Sequence, residues 1–117
     1  AHRDAAFNLS RMGVLIAGLA DHRLLVAAAT EDRLHQGPRS TLFPQAPAIL
    51  AGLVDSGALA SCWSGAGPSL LGICVEDSAK TVAQAAAVLI DAHGIPGEVL
   101  VLAPDLVGVA LIPSPAH

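Results

Sequence analysis

The chain has 117 residues, 53% of them hydrophobic and 14% charged, with two cysteines and a formal net charge of -4. That length suits one domain, residues 1–117, since domains commonly run to about 100–150 residues. High hydrophobicity with few charges excludes intrinsic disorder, and two cysteines cannot supply a disulfide framework. Aromatic residues are 3% of the chain, so the core must be assembled from small aliphatic side chains, each burying little area.

Charge is unevenly placed. Arg3, Arg11, Arg23, Arg33 and Arg39 face Asp4, Asp21, Glu31 and Asp32 in the first third, giving that stretch +1. The remainder is -5, with Lys80 the only cation. No aromatic residues interleave with the arginines to make a nucleic-acid surface, so no nucleic-acid partner is expected. No apolar run approaches the ~18 residues that span a bilayer, so no membrane association is expected. No signal peptide is visible. A cytoplasmic protein with reduced Cys62 and Cys74 is expected. A start at Ala1, close to a helix, suggests a piece of a longer chain.

Residues 4–20 are predicted to be a helix. Ala5, Leu9, Met12, Ile16 and Leu19 recur at helical spacing as one core-facing stripe, and Asp4 can cap the start. Gly13 and Gly18 would mark close packing against another element. Asp21 is a plausible cap for a second helix over 22–35, with Leu24, Leu25 and Ala28 inward. The short link makes the two helices an antiparallel pair. Residues 37–44, holding Pro38 and Pro44, read as a loop. A third helix over 45–55 has Pro47 in its first turn and Ile49, Leu50, Leu53 and Val54 on its apolar face. Gly57 suits its left-handed end.

Strands are expected at 58–63 and 69–75, around the turn 64–68. A fourth helix then runs from Asp77 or Ser78 to Gly94, with Val82, Ala85, Ala86 and Leu89 inward. Residues 98–103 and 107–112 are two more strand candidates, and the tail 113–117 is expected to fray. The fold class expected is α+β: two layers, an antiparallel sheet with helices packed on one face.

Two segments could carry chemistry. In Ser64-Gly65-Ala66-Gly67-Pro68-Ser69 the glycines allow backbone conformations closed to other residues. Such a loop either turns a hairpin or points consecutive N–H groups at an anion. It is not a P-loop, since no Lys-Ser or Lys-Thr follows. In Asp32-Arg33-Leu34-His35-Gln36-Gly37-Pro38-Arg39, Arg39 follows a helix end. It either grips a carboxylate or phosphate, or is a solvated cation near the helix carbonyls. His35 has no second His or Cys at ligand spacing, so no metal site is expected. Cys62 and Cys74 could face each other across the hairpin, but neither has a predictable base, and packing is the favoured role. No acid pair suggests a general acid and base, so no catalytic residue is assigned.

These segments together resemble the C-terminal half of the homoserine kinase family, within the GHMP small-molecule kinases. The resemblance rests on the helix start His2–Arg11, on Asp32–Gln36 leading to Arg39, and on Ser64–Ser69, which is similar to the third motif of the superfamily. Residues 105–109 fit the family's final strand. The resemblance implies a ferredoxin-like GHMP kinase C-terminal domain. It implies ATP-dependent phosphorylation of the L-homoserine hydroxyl in threonine biosynthesis. Arg39 would help hold the substrate carboxylate. Residues 64–69 would support the phosphate site. Gly37-Pro38 departs from the family's usual residues before that arginine, so the local loop would be reshaped.

The family's Pro-x-x-x-Gly-Leu-Gly-Ser-Ser nucleotide stretch does not occur here. ATP and Mg2+ are thus implied for the full-length enzyme and not for this chain alone, whose partner would be a missing N-terminal kinase domain. This chain by itself should be inactive. Another GHMP kinase with a different alcohol substrate is one alternative. A non-catalytic dimerisation or small-ligand-binding module is another, since apolar surface left by a missing half would favour a homo-oligomer.

Overall fold

The computed structural model describes residues 2–111, and the predicted tail over 113–117 lies outside them. Helix α1 spans His2–Ala20. Two single 3-10 turns follow, His22–Leu24 and Ala27–Thr30, and then a short helix α2, Gln36–Arg39. Helix α3 is Ala46–Asp55, strands β1 and β2 are Ala60–Trp63 and Leu70–Ile73, and helix α4 is Glu76–Ala92. The strands form an antiparallel hairpin in which Trp63 faces Leu70 and Ala60 faces Ile73. The result is an α+β domain with helices packed against an antiparallel hairpin.

The main core joins α3, α4 and the hairpin. Ile49 and Leu53 of α3 meet Val82 and Ala86 of α4 and Ala58, with Leu50, Leu70 and Cys74 packed around them. Gly52 lets the two helices approach: a Cβ there would stand 2.7 Å from a Leu89 methyl. Gly57, at φ +112°, ends α3 in a conformation that other residues adopt at a cost. Glu76 and Asp77 put negative charge in the first turn of α4, where the helix dipole favours it.

A second, smaller cluster joins Leu25, Ala29 and Ala60, with Val14, Leu15, Leu59 and Ile73 against it. Here Gly18 has a clear role, since a Cβ would stand 2.8 Å from the Leu25 backbone. Gly13 has nothing within 4 Å, so close packing does not explain it.

Several expectations need correction. Asp4 lies inside the first turn of α1, which begins at His2, and is not its cap. The stripe Leu9, Met12, Ile16 and Leu19 is 52–75% exposed, because α1 turns Val14, Leu15 and Gly18 inward instead. A helix over 22–35 does not form, so there is no antiparallel helix pair. Leu25 and Val26 are extended, with ψ of 121° and 152°, which lets Leu25 seat on Gly18. Further on, the Asp32 carboxylate takes the N–H groups of Leu34, His35 and Gln36 and so competes with helical bonding. Residues 37–39, expected as loop, belong to α2. The strands expected at 98–103 and 107–112 are absent among the described residues, which have no regular structure from 93 onward. Val99 packs on the main core, while Leu100, Val101 and Leu102 stay 63–80% exposed.

Candidate functional site

Asp21 and Asp32 organise the chain between α1 and α2. Asp21 caps the first 3-10 turn through the Arg23 N–H, and the Arg23 guanidinium beside it lowers its pKa. Asp32 is more enclosed, its side chain 17% exposed. Asn8 Nδ2 of α1 donates to Oδ1 at 2.6 Å, joined by the backbone N–H of Leu34 and His35, while the Gln36 N–H reaches Oδ2. His35 Nδ1 lies 3.3 Å from the same carboxylate. Burial pushes the Asp32 pKa up, but these hydrogen bonds outweigh it and hold it at about 2. A carboxylate so fully bonded is an anchor for the segment, not a proton carrier.

That anchor sets the position of α2, and α2 sets Arg39. Arg39 is half-buried, and its Nη1 donates to the carbonyl oxygen of Gly65 at 2.6 Å. The two segments singled out in the sequence, 26 positions apart, therefore touch. The remaining guanidinium N–H groups of Arg39 keep the fork geometry that suits a carboxylate.

The turn itself is built by its glycines. Gly65 has φ +56° and Gly67 φ +84°, both left-handed, and the Gly67-Pro68 bond is cis. Ser64 N–H bonds Ser69 O, and Gly67 N–H bonds Ser64 O, at 2.9 and 3.1 Å. Those two donors are thus used within the turn, which closes the hairpin. The Trp63 ring lies directly beneath: a Cβ on Gly67 would stand 2.6 Å from it. Phe43 meets Trp63 edge-on, ring centroids 5.9 Å apart, and fixes the indole.

Several contributors were not legible as such. Gln36 bonds Thr30 O through Nε2 and receives the Trp63 N–H on Oε1. Two guanidinium groups lie over the Phe7 ring, Arg33 at 3.6 Å and Arg11 at 4.5 Å from its centroid. Arg11 also pairs with Glu31 at 3.5 Å. A single Phe in an amphipathic helix gives no signal for such an arrangement. A cleft of about 400 Å³ is lined by Phe7, Thr30, Asp32, Arg33, Gln36 and Ser61, among others. Neither Arg39 nor any of residues 64–69 lines it.

Cys62 and Cys74 do not meet. Cys62 lies opposite Leu71, on the face of the hairpin shared with Ala60 and Ile73, while Cys74 packs into the main core from the other face. Burial pushes both thiols up, away from the reactive thiolate. Among the described residues, no cluster of His, Cys, Asp or Glu is placed to hold a metal ion. No helix among the described residues is long and apolar enough to cross a membrane.

Comparison with known proteins supplies a context. The family model described as GHMP kinases C terminal matches residues 15–90. The chain is 36% identical over 110 residues to a homoserine kinase of Desulfitobacterium hafniense, covering 93% of this chain and 37% of that protein. A homoserine kinase of Leifsonia xyli is 38% identical, covering 99% of this chain and 35% of the relative. One from Clavibacter michiganensis is 49% identical over 60% of this chain, and 22% of that relative is covered. The chain thus spans about a third of the length of the first two relatives. No solved structure gives a significant match.

Proposed function

Since this chain belongs to the GHMP kinase C-terminal family, we propose that it serves as the C-terminal domain of a homoserine kinase. In this reading Arg39 receives the carboxylate of L-homoserine, and residues 64–69 support the site where phosphate is transferred. The nucleotide and Mg2+ are held by the upstream two-thirds of the enzyme. The observation that carries the reading is the 2.6 Å contact between Arg39 and Gly65, which unites the carboxylate-binding candidate with the glycine turn. Phosphoryl transfer depends mainly on positioning and charge stabilisation, so a domain that only positions groups can still govern the rate.

The exposed stripe of α1, from Leu9 to Leu19, supports the same division of labour. Apolar area of this kind on one helix is unusual for a domain that works alone. It is the surface against which the upstream domain docks.

The isolated chain, given ATP and L-homoserine, should show no turnover; turnover by it alone would refute the reading. Expressed with the region encoded upstream in its own gene, it should phosphorylate L-homoserine. A panel of alcohols with that longer protein separates homoserine from the substrates of other GHMP kinases. In the longer protein, Arg39→Ala should raise KM about tenfold or more, as loss of a charged hydrogen bond implies. An unchanged KM would remove Arg39 from the site.

A further inference from the structure

The free edge of β1 is closed by side chains instead of a third strand. Ser64 N–H bonds Ser69 O, so residues 64 and 69 form a bonded rung of the hairpin. With Trp63 facing Leu70 and Ser61 facing Gly72, alternation along an antiparallel pair turns the backbone N–H and C=O of Ser61 and Trp63 away from β2. An edge of this kind ordinarily invites another strand. Here Thr30 Oγ1 donates to Ser61 O at 2.6 Å, and Gln36 Oε1 accepts the Trp63 N–H at 3.3 Å. Gln36 Nε2 in turn donates to Thr30 O at 2.7 Å. The amide can bond both ways because it carries a donor and an acceptor, as the peptide group does.

Gln36 stands three positions before Arg39 on α2. One residue therefore ties α2 to the base of the turn at Trp63, and the other ties it to the tip at Gly65. We infer that Gln36 is a positioning residue, which sets where the Arg39 guanidinium stands relative to residues 64–69. The inference rests on the reading of Arg39 as the carboxylate-binding residue. Gln36 itself acts through the Trp63 N–H and the Thr30 carbonyl, and touches no substrate.

NMR spectroscopy of the 117-residue chain tests this, first without ligand. Gln36→Ala removes both bonds, while Gln36→Glu keeps the acceptor for Trp63 and loses the donor to Thr30. The Trp63 amide should exchange about tenfold faster in Gln36→Ala, the size expected for one lost hydrogen bond, and recover much of its protection in Gln36→Glu. The Gly65 and Gly67 amides and the Arg39 guanidinium signals should shift in Gln36→Ala, while Val82 and Ala86 keep their exchange rates. Unmoved Gly65, Gly67 and Arg39 signals would overturn the inference. Should Gln36→Ala fail to fold, Gln36→Glu against the native chain makes the same decision, because loss of the Thr30 tether alone must move the Gly65 signal.

A titration with L-homoserine then follows the Arg39 signals, with about tenfold weaker binding expected in the variant whose Gly65 signals have moved. Equal affinity despite that movement would also overturn the inference. A native chain that ignores homoserine speaks against the carboxylate reading instead, and leaves the ligand-free comparison to decide the role of Gln36.

Discussion

Replacing Gly67 with alanine should destabilise the fold far more than the same change two residues earlier. Gly67 has φ +84°, and its new Cβ would stand 2.6 and 2.7 Å from two carbons of the Trp63 ring. The left-handed backbone costs an alanine about 1–2 kcal/mol. The indole cannot retreat freely, since Phe43 stands against it at 5.9 Å between centroids, and overpacking of this kind adds about 1–3 kcal/mol. The total is about 2–5 kcal/mol, against a domain stability of about 5–15 kcal/mol. Gly65 has φ +56° but nothing within 4 Å, so Gly65→Ala carries the backbone cost alone. Urea unfolding followed by circular dichroism, and by the fluorescence of the single tryptophan, measures both. Gly67→Ala should lower the midpoint by about 1–2 M, and Gly65→Ala by less than half as much. Equal losses at the two positions would show that the ring contact contributes nothing, and that backbone conformation alone demands these glycines.

The two glycines of α1 should respond in opposite directions. Gly13→Ala, with open space around it, should stabilise by about 0.5–1 kcal/mol through helix propensity. Gly18→Ala, pressed against the Leu25 backbone at 2.8 Å, should destabilise by about 1–3 kcal/mol, and thermal melts of the two variants check the signs. Asp32 has a folded pKa of about 2, below its ordinary 3.8, so its stabilisation is complete above that ordinary value and is lost as pH falls through about 2. Allowing for solvent screening, Asp32→Asn should cost about 1 kcal/mol at pH 7, and its stability should approach that of the native chain in acid-urea titrations toward pH 2. Met12→Glu or Ile16→Glu on the exposed stripe should leave the melting of the isolated chain nearly unchanged. The same changes should abolish activity in the longer enzyme if the upstream domain docks there.

Legibility in the sequence followed the reach of the interactions. Helices α3 and α4 and the hairpin were evident, because each satisfies its own periodicity and ends on glycine or proline signals. The orientation of α1 was not. Its apolar residues surround much of the helix, and the packing of Val14, Leu15 and Gly18 on Leu25 and its neighbours decides which side turns inward. The stretch 22–35 misled because its leucines and alanines have helical spacing. Local bonds to Asp21 and Asp32 win there instead, and a carboxylate that gathers three N–H groups leaves no periodic trace. The apolar run after 98 looked like strand by composition, yet among the described residues it pairs with neither strand of the hairpin. Of the site, Arg39 and the glycine turn were identified through a resemblance of ordered motifs. Their contact, and the part of Gln36 in it, belong to tertiary structure.

The bond between Arg39 and Gly65 ends on a main-chain oxygen, which every residue possesses. No substitution at position 65 could compensate for a changed residue 39 by offering a better side chain. What position 65 must supply is a backbone angle of +56°, not a chemical group. Pairwise covariation between the two positions should therefore be weak even though they touch. A designer moving this turn to another scaffold would have to transplant its dihedral angles together with the arginine, because copying the letters alone would not carry the contact.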